Sequence, residues 1–245
     1  MTANENNRNA YAGRDAEFLI KNSVLARPST IEKIKSRFNI RGDLNNAESV
    51  GVYGGKADVR INFACGRYID VSVKSFKTAA GFNQLARTSV SKFCKDFGLN
   101  AYDARALENI VATKSKNPKN PLFPPLHRQK WGEFFQNNAK RLLEWGFSKN
   151  ADREILVLYN RETSIVKIYP MKEVLNCLPT NINFTKGGFN IGDVVSFQRK
   201  GGNGALSKHI PKTAIEHPGN NVQLKVKIIK LMPVLESVKL DEYEL

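Results

Sequence analysis

The sequence predicts an α/β (α+β) chain with a central mixed β-sheet flanked by helices. Three observations carry this. Between Ala57 and Lys74 two runs alternate apolar and polar residues, the period of half-buried strands. Beyond Lys74, apolar residues recur at three- and four-residue steps, the period of a helix. Glu154–Tyr159 and Ser164–Tyr169 read as two strands around the four-residue connection Asn160-Arg161-Glu162-Thr163, as in a hairpin.

Taken in order, residues 1–13 are polar and asparagine-rich, which reads as a frayed segment and not a secretory leader. Helical spacing covers Arg14–Val24 and Thr30–Phe38, the second with Ser29 or Thr30 as N-cap after Pro28. Val52-Tyr53-Gly54-Gly55 is a flexible approach to the first strand, Ala57–Phe63. A Gly66-Arg67 turn leads to the second, Tyr68–Lys74. Phe82, Leu85, Ala86, Val90, Phe93 and Phe97 predict a helix over Ala80–Phe97 that Gly98 stops. Asp103 caps a short helix to Val111, and the basic, proline-rich Thr113–Pro125 is an exposed loop. After Pro124-Pro125 one helix carries Trp131, Phe134, Phe135, Leu142 and Trp145, a stripe assigned to the core.

The second half turns to strands. Glu154–Tyr159 and Ser164–Tyr169 form the hairpin, and Pro170 opens a brief helix to Leu175. Phe189–Gln198 is a strand, followed by a basic glycine loop over Arg199–Gly204. Val222–Ile229 alternates Gln223, Lys225 and Lys227 with apolar residues, so its open face is positive. The acidic tail, Val238–Leu245, is peripheral. No repeat and no long linker divides the 245 residues, which reads as a single domain.

Charge narrows the partner. Lys and Arg number 38 against 23 Asp and Glu, a net +15 with pI near 9.8. Such a surface attracts a polyanion, of which nucleic acid is the commonest. An anionic membrane is disfavoured, because no basic amphipathic helix with an apolar face stands out. No run approaches the roughly 20 apolar residues of a membrane span. Cys65, Cys94 and Cys177 form no C-x-x-C pair, which reads as reduced thiols, mostly buried, in a cytoplasmic protein. His127, His209 and His217 have no zinc spacing.

The densest chemistry lies at Asp58 and Lys74. If their strands pair, a carboxylate and a lysine meet on a sheet, a seat for one Mg²⁺ and an attacking water. Asp58 would be the main ligand, and the Val73 carbonyl a second. Lys74 would position the water and offset charge on phosphorus. Ser72 would hold a water at the metal, and Asp70 could add a carboxylate. By spacing alone the pattern also suits an ordinary exposed strand, because Ser72 stands where an acid would stand.

Three stretches together resemble a known group. They are Lys56-Ala57-Asp58-Val59-Arg60-Ile61 with Val71-Ser72-Val73-Lys74, then Gly81-Phe82-Asn83-Gln84 at a helix start. The last is Val195-Ser196-Phe197-Gln198-Arg199-Lys200-Gly201-Gly202-Asn203-Gly204 with Gln223–Lys227 beyond it. In order and spacing they resemble the type II restriction endonucleases with a PD-(D/E)xK core that cut four-base-pair sites such as GCGC or CCGG. The resemblance implies a catalytic core over about residues 14–112 and a DNA-recognition part over about 113–237. It implies Asp58 and Lys74 as the catalytic pair, with Ser72 where the relatives carry an uncharged amide. Asn83, Gln84 and Arg87 would approach the DNA, the first two in the minor groove. Gln198, Arg199, Lys200 and Asn203 would read base edges in the major groove. Lys225 and Lys227, with Lys114, Lys116, Lys119, Lys208 and Lys212, are candidates for phosphate contacts. It further implies Mg²⁺, double-stranded DNA with a short GC-containing palindrome, 5′-phosphate products and a partner methyltransferase. Two rivals stay open: a non-catalytic DNA- or RNA-binding protein, and a nuclease for branched or damaged DNA.

Overall fold

A computed structural model of the chain describes residues 5–51, 56–77, 82–202 and 209–245. The Gly54-Gly55 approach, Gly81, Asn203, Gly204 and Lys208 lie outside these residues. In chain order the elements are α1 (Glu5–Leu25), α2 (Pro28–Phe38), β1 (Leu44–Ser49), β2 (Val59–Phe63), β3 (Tyr68–Phe76) and β4 (Phe82–Thr88). Four helices follow: α3 (Val90–Asp96), α4 (Ala101–Lys116), α5 (Pro125–Asn137) and α6 (Ala139–Phe147). Then come β5 (Glu154–Asn160), β6 (Ile165–Pro170), α7 (Met171–Cys177), β7 (Ile182–Phe184), β8 (Gly188–Ile191) and β9 (Val195–Arg199). The last are β10 (Val222–Lys227), α8 (Ile228–Leu235) and β11 (Asp241–Glu244).

These elements form two compact units that interleave along the chain. One holds the segment to Asn83 with Phe147–Leu178 and Leu231–Leu245. The other holds Gln84–Gly146 and Pro179–Lys230. The expected boundary near residue 112 falls inside the second of these units. Strands β5 and β6 fall on the near side, with Asp58 and Lys74, because β5 pairs with β3.

In the first unit six strands run in the order β1-β2-β3-β5-β6-β11. Neighbours are antiparallel except β3 and β5, so the sheet is mixed, as predicted. Strand β3 sits between β2, where Val59 faces Val71, and β5, where Val73 faces Val157. Val59, Ile61, Ile69, Val71, Val73, Ile155 and Val157 belong to one buried cluster with Ala16, Ile20 and Val24 of α1 and Ile31 and Ile34 of α2. Removing most of one such side chain, as in Ile34→Ala, costs about 2–5 kcal/mol. Pro28 opens α2, where its missing N–H has no partner to lose. The N-cap position is Arg27, without a side-chain cap, so neither Ser29 nor Thr30 serves. Strand β1 gave no apolar alternation; it is a polar edge, tied by Asn62 Nδ2 donating to Asn46 and Glu48. The acidic tail forms the opposite edge. There Asp241 accepts from Thr30 Oγ1 and Lys33 Nζ of α2, each at 2.6 Å.

In the second unit five strands run β4-β10-β9-β8-β7. The helix expected over Ala80–Phe97 is half strand. Residues 82–88 are β4, and α3 starts only after Ser89, whose side chain accepts from the Lys92 N–H at 3.2 Å. Apolar residues on both sides of that cap mimic one helical stripe. Gly98 follows α3 in the left-handed region, φ +68°, as a stop signal should. Helix α4 is longer than expected, capped by Asn100 and running through Lys116. One expected helix after Pro125 is two, and Phe189–Gln198 is a hairpin, β8 and β9, rather than one strand. Trp131, Phe135 and Leu142 are core as predicted. Phe135 meets Phe189 at 4.3 Å, and Phe189 stacks on Phe197 at 4.8 Å. Among the cysteines only Cys94 is buried; Cys65 is exposed and Cys177 half-buried, so the thiols are not mostly buried. Among the described residues no helix is long and apolar enough to cross a membrane.

Candidate active site

The backbone of β3 aims Asp58. The Asp58 N–H donates to the Val71 carbonyl at 2.8 Å, and its own carbonyl accepts from the Val50 N–H at 3.1 Å. The paired register of β2 and β3 ends at Val59 opposite Val71, so Asp58 sits just outside the ladder with its N–H still on Val71. Asp58 Oδ2 accepts from the Val73 N–H at 2.7 Å and lies 3.9 Å from Lys74 Nζ. Lys74 Nζ donates to Ser72 Oγ and to the Val73 carbonyl, each at 3.1 Å. Four of the residues singled out from the sequence thus meet: Asp58, Ser72, Val73 and Lys74.

Asp70 does not join them. Its carboxylate is held by Arg60, Nε to Oδ1 at 2.7 Å and Nη2 to Oδ2 at 3.1 Å. The guanidinium also lies 4.0 Å over the Tyr68 ring. Both of its oxygens are engaged by that one cation.

Glu17 of α1 is the residue that sequence reasoning missed. A Cβ placed on Gly51 would stand 3.7 Å from Glu17 Oε2 and 3.9 Å from the Asp58 carbonyl. Burial raises the Glu17 pKa, and Asp58 raises it further, against Lys74 and Arg14. Burial likewise raises that of Asp58, against Lys74 and the Val73 N–H. Desolvation and a like charge both disfavour a carboxylate, and here burial outweighs the help of Lys74. Beside it, burial together with Lys74 lowers the Lys56 pKa to about 8, although Glu154 opposes this. The available donors are two carboxylates and a backbone carbonyl, all hard oxygens. Among the described residues no group of three or more His, Cys, Asp or Glu stands together.

Most of the other residues singled out, from Gln84 onward, belong to the second unit. Asn83, Gln84 and Arg87 lie on β4, a strand and not a helix start. On β9, Val195 and Phe197 are buried, so Ser196, Gln198 and the following Lys200 point the other way. Gln198 pairs with Gln223 and Ser196 with Lys225, which puts Gln223, Lys225 and Lys227 on that same polar face. Lys200 has a pKa lowered by burial and then by Arg87 and Lys225; the three cations are neighbours. Arg199 takes the apolar side of the strand. There its Nε donates to Asn220 Oδ1 at 2.7 Å and its Nη2 to Ser115 Oγ at 3.0 Å. Lys114 is engaged too, donating to the Pro118 and Asn120 carbonyls.

A solved structure shares this architecture. It is the crystal structure of the restriction endonuclease MspI in complex with its cognate DNA. The match has a TM-score of 0.51 at 14% identity and covers 80% of this chain and 76% of that one. The fold is PD-(D/E)xK restriction-endonuclease-like. No family model matches the chain, and no curated protein matches it either. At this identity the agreement is one of fold: a mixed sheet flanked by helices, as the strand and helix periods predicted.

Proposed function

We propose that this protein is a Mg²⁺-dependent type II endonuclease that hydrolyses double-stranded DNA at a short GC-containing palindrome. The observation that carries the reading is the meeting of Asp58 Oδ2, the Val73 carbonyl and Lys74 Nζ on a fold shared with a restriction endonuclease. Asp58 and the Val73 carbonyl would hold the ion, with Glu17 the second carboxylate in reach. One or two carboxylates, with the remaining positions left to water and substrate phosphate, is the habit of Mg²⁺. The raised pKa values of Asp58 and Glu17 fit such a site, because a cation relieves two buried carboxylates. When bound, the metal supplies Lewis acidity at the scissile phosphate and lowers the pKa of water.

The chain's own residues do the rest. Lys74 orients the attacking water and offsets the negative charge that grows on phosphorus. Ser72, buried and accepting from Lys74 Nζ, fixes where that ammonium points. In-line attack leaves a 5′-phosphate and a 3′-hydroxyl. For recognition, the polar face bearing Gln198, Lys200 and Lys225 offers an amide and cations beside each other. Lysine pairs with guanine O6 and N7, and glutamine both donates and accepts. The net +15 charge supplies sequence-independent affinity for phosphates. An enzyme of this kind works beside a DNA methyltransferase that protects the host's sites.

The test is incubation of a sequenced linear duplex with protein and Mg²⁺, followed by sequencing of the fragment ends. Discrete fragments with a common terminal sequence and 5′-phosphates are expected, and Asp58→Ala and Lys74→Ala should not produce them. Binding without cutting would leave a DNA-binding protein, and cutting of branched substrates alone a structure-specific nuclease.

A further inference from the structure

We infer that Arg199 does not touch DNA but is the positioning residue of the recognition strand, tying the segment Lys212–Asn221 to β9 and α4. The inference rests on the nuclease reading for what is being positioned; the tie itself rests on hydrogen bonds within one unit. Alternation comes first. Val195, Phe197 and Arg199 share one face of β9, and Gln198 and Lys200 share the other. Of three consecutive residues that look alike as DNA readers, the middle one faces the opposite way.

Two of the guanidinium's five N–H donors are then engaged. Nε and Nη2 go to Asn220 Oδ1 and Ser115 Oγ, which takes the Nε–Nη2 fork from a bidentate contact to guanine and holds the group on the apolar side of the strand. Both acceptors are themselves committed. Asn220 is fully buried, and its Nδ2 donates to the Lys212 and Ala214 carbonyls. Ser115 Oγ donates to the same Lys212 carbonyl. Around this centre the Lys200 N–H meets the Asn221 carbonyl at 2.8 Å, and the Gly201 N–H the Gly219 carbonyl at 2.9 Å. The Gly219 N–H donates to Nδ1 of the buried His217 at 2.9 Å. The result is a closed hydrogen-bonded frame whose charged member is Arg199. Its edge carries Lys200, and Gln198 lies one step back along β9. A frame of this kind sets where those two side chains stand, which is how a residue that reads no base can still govern sequence choice.

Duplex binding with Ca²⁺ in place of Mg²⁺, followed against salt concentration, separates the roles. Each phosphate that a cation neutralises contributes about 0.9 to the slope of log K against log salt. Lys200→Met should lower that slope by about 0.9 for every phosphate that Lys200 neutralises. Arg199→Met should weaken cognate binding with the slope unchanged. Ser115→Ala, which deletes only a hydroxyl, should move binding in the same direction, and the double variant should be no worse than Arg199→Met alone. Amide hydrogen exchange needs no DNA: Gly201, Gly219 and Asn220 should exchange faster in Arg199→Met and at the wild-type rate in Lys200→Met. A slope reduced by Arg199→Met would overturn the inference in favour of a phosphate contact. Lost sequence discrimination with wild-type exchange would overturn it in favour of base reading. Should Arg199→Met fail to fold, Ser115→Ala carries both readouts. If the wild type binds no duplex, the nuclease reading fails, and exchange alone still decides whether the tie exists.

Discussion

The Val73 N–H donates to Asp58 Oδ2 at 2.7 Å, so backbone, not another side chain, aims this carboxylate. An asparagine at position 58 keeps an oxygen acceptor for that bond and removes only the charge. Asp58→Asn should therefore fold normally, bind duplex DNA as before and lose cleavage by at least about 100-fold, the lower range for a group acting directly on the reaction. Single-turnover cleavage of a labelled duplex, beside an anisotropy titration, measures both. Cleavage within a few-fold of wild type would remove Asp58 from the site.

Burial raises the carboxyl pKa of Asp58 and, with Asp58 as neighbour, of Glu17. A group whose folded pKa lies above its unfolded value adds stability below the unfolded pKa and loses it as pH rises through the folded one. At neutral pH, without metal, both carboxylates therefore cost stability. Asp58→Asn and Glu17→Gln should each raise Tm at pH 7, and the gain should vanish below about pH 4, where the unfolded-state carboxyls also protonate. Mg²⁺ should raise the Tm of the wild type and leave that of Asp58→Asn unchanged. Scanning calorimetry at several pH values, with and without Mg²⁺, reads all three effects.

Ser72 accepts from Lys74 Nζ at 3.1 Å. A hydrogen bond to a charged group is worth about 1.5–3 kcal/mol, or roughly 10- to 150-fold in rate if it matters only at the reacting geometry. Ser72→Ala should lower kcat within that range and leave duplex affinity alone. An unchanged kcat would mean that the Val73 carbonyl suffices to place Lys74.

The Arg60–Asp70 pair makes the opposite prediction. Because Arg60 holds both Asp70 oxygens, Asp70→Asn should cut at the wild-type rate with the same Mg²⁺ dependence. Its part-exposed position limits the stability loss to about 1 kcal/mol, visible in urea unfolding. A weaker apparent affinity for Mg²⁺ in this variant would show that Asp70 reaches the metal after all.

What was legible in the sequence was what alternation reports. Val59–Phe63 and Tyr68–Lys74 are strands that put their core residues on one side, whereas Glu154–Tyr159 is an apolar run buried on both faces between β3 and β6. That same period set Asp58 and Lys74 near each other. It failed where one pattern spans two elements, as at Ser89 between β4 and α3. It was silent at β1, whose residues are nearly all polar and which exists through pairing to β2. Glu17 carried no signal, because nothing local tells an acid on α1 that a carboxylate from another element lies close by. Arg199 shows the converse: residue type suggested a base reader, whereas its parity along β9 sends it to Asn220 and Ser115.

The parallel pairing of β3 with β5 also imposes an order in time. Strand β5 begins about 80 residues after β3 ends, and such non-local pairing is slow to form. At roughly 5–20 residues per second of synthesis, a growing chain carries Asp58 and Lys74 for several seconds before it contains the strand that braces them. Until Glu154–Asn160 has left the ribosome, β3 has a partner on one edge only, and the geometry at Lys74 is unfinished.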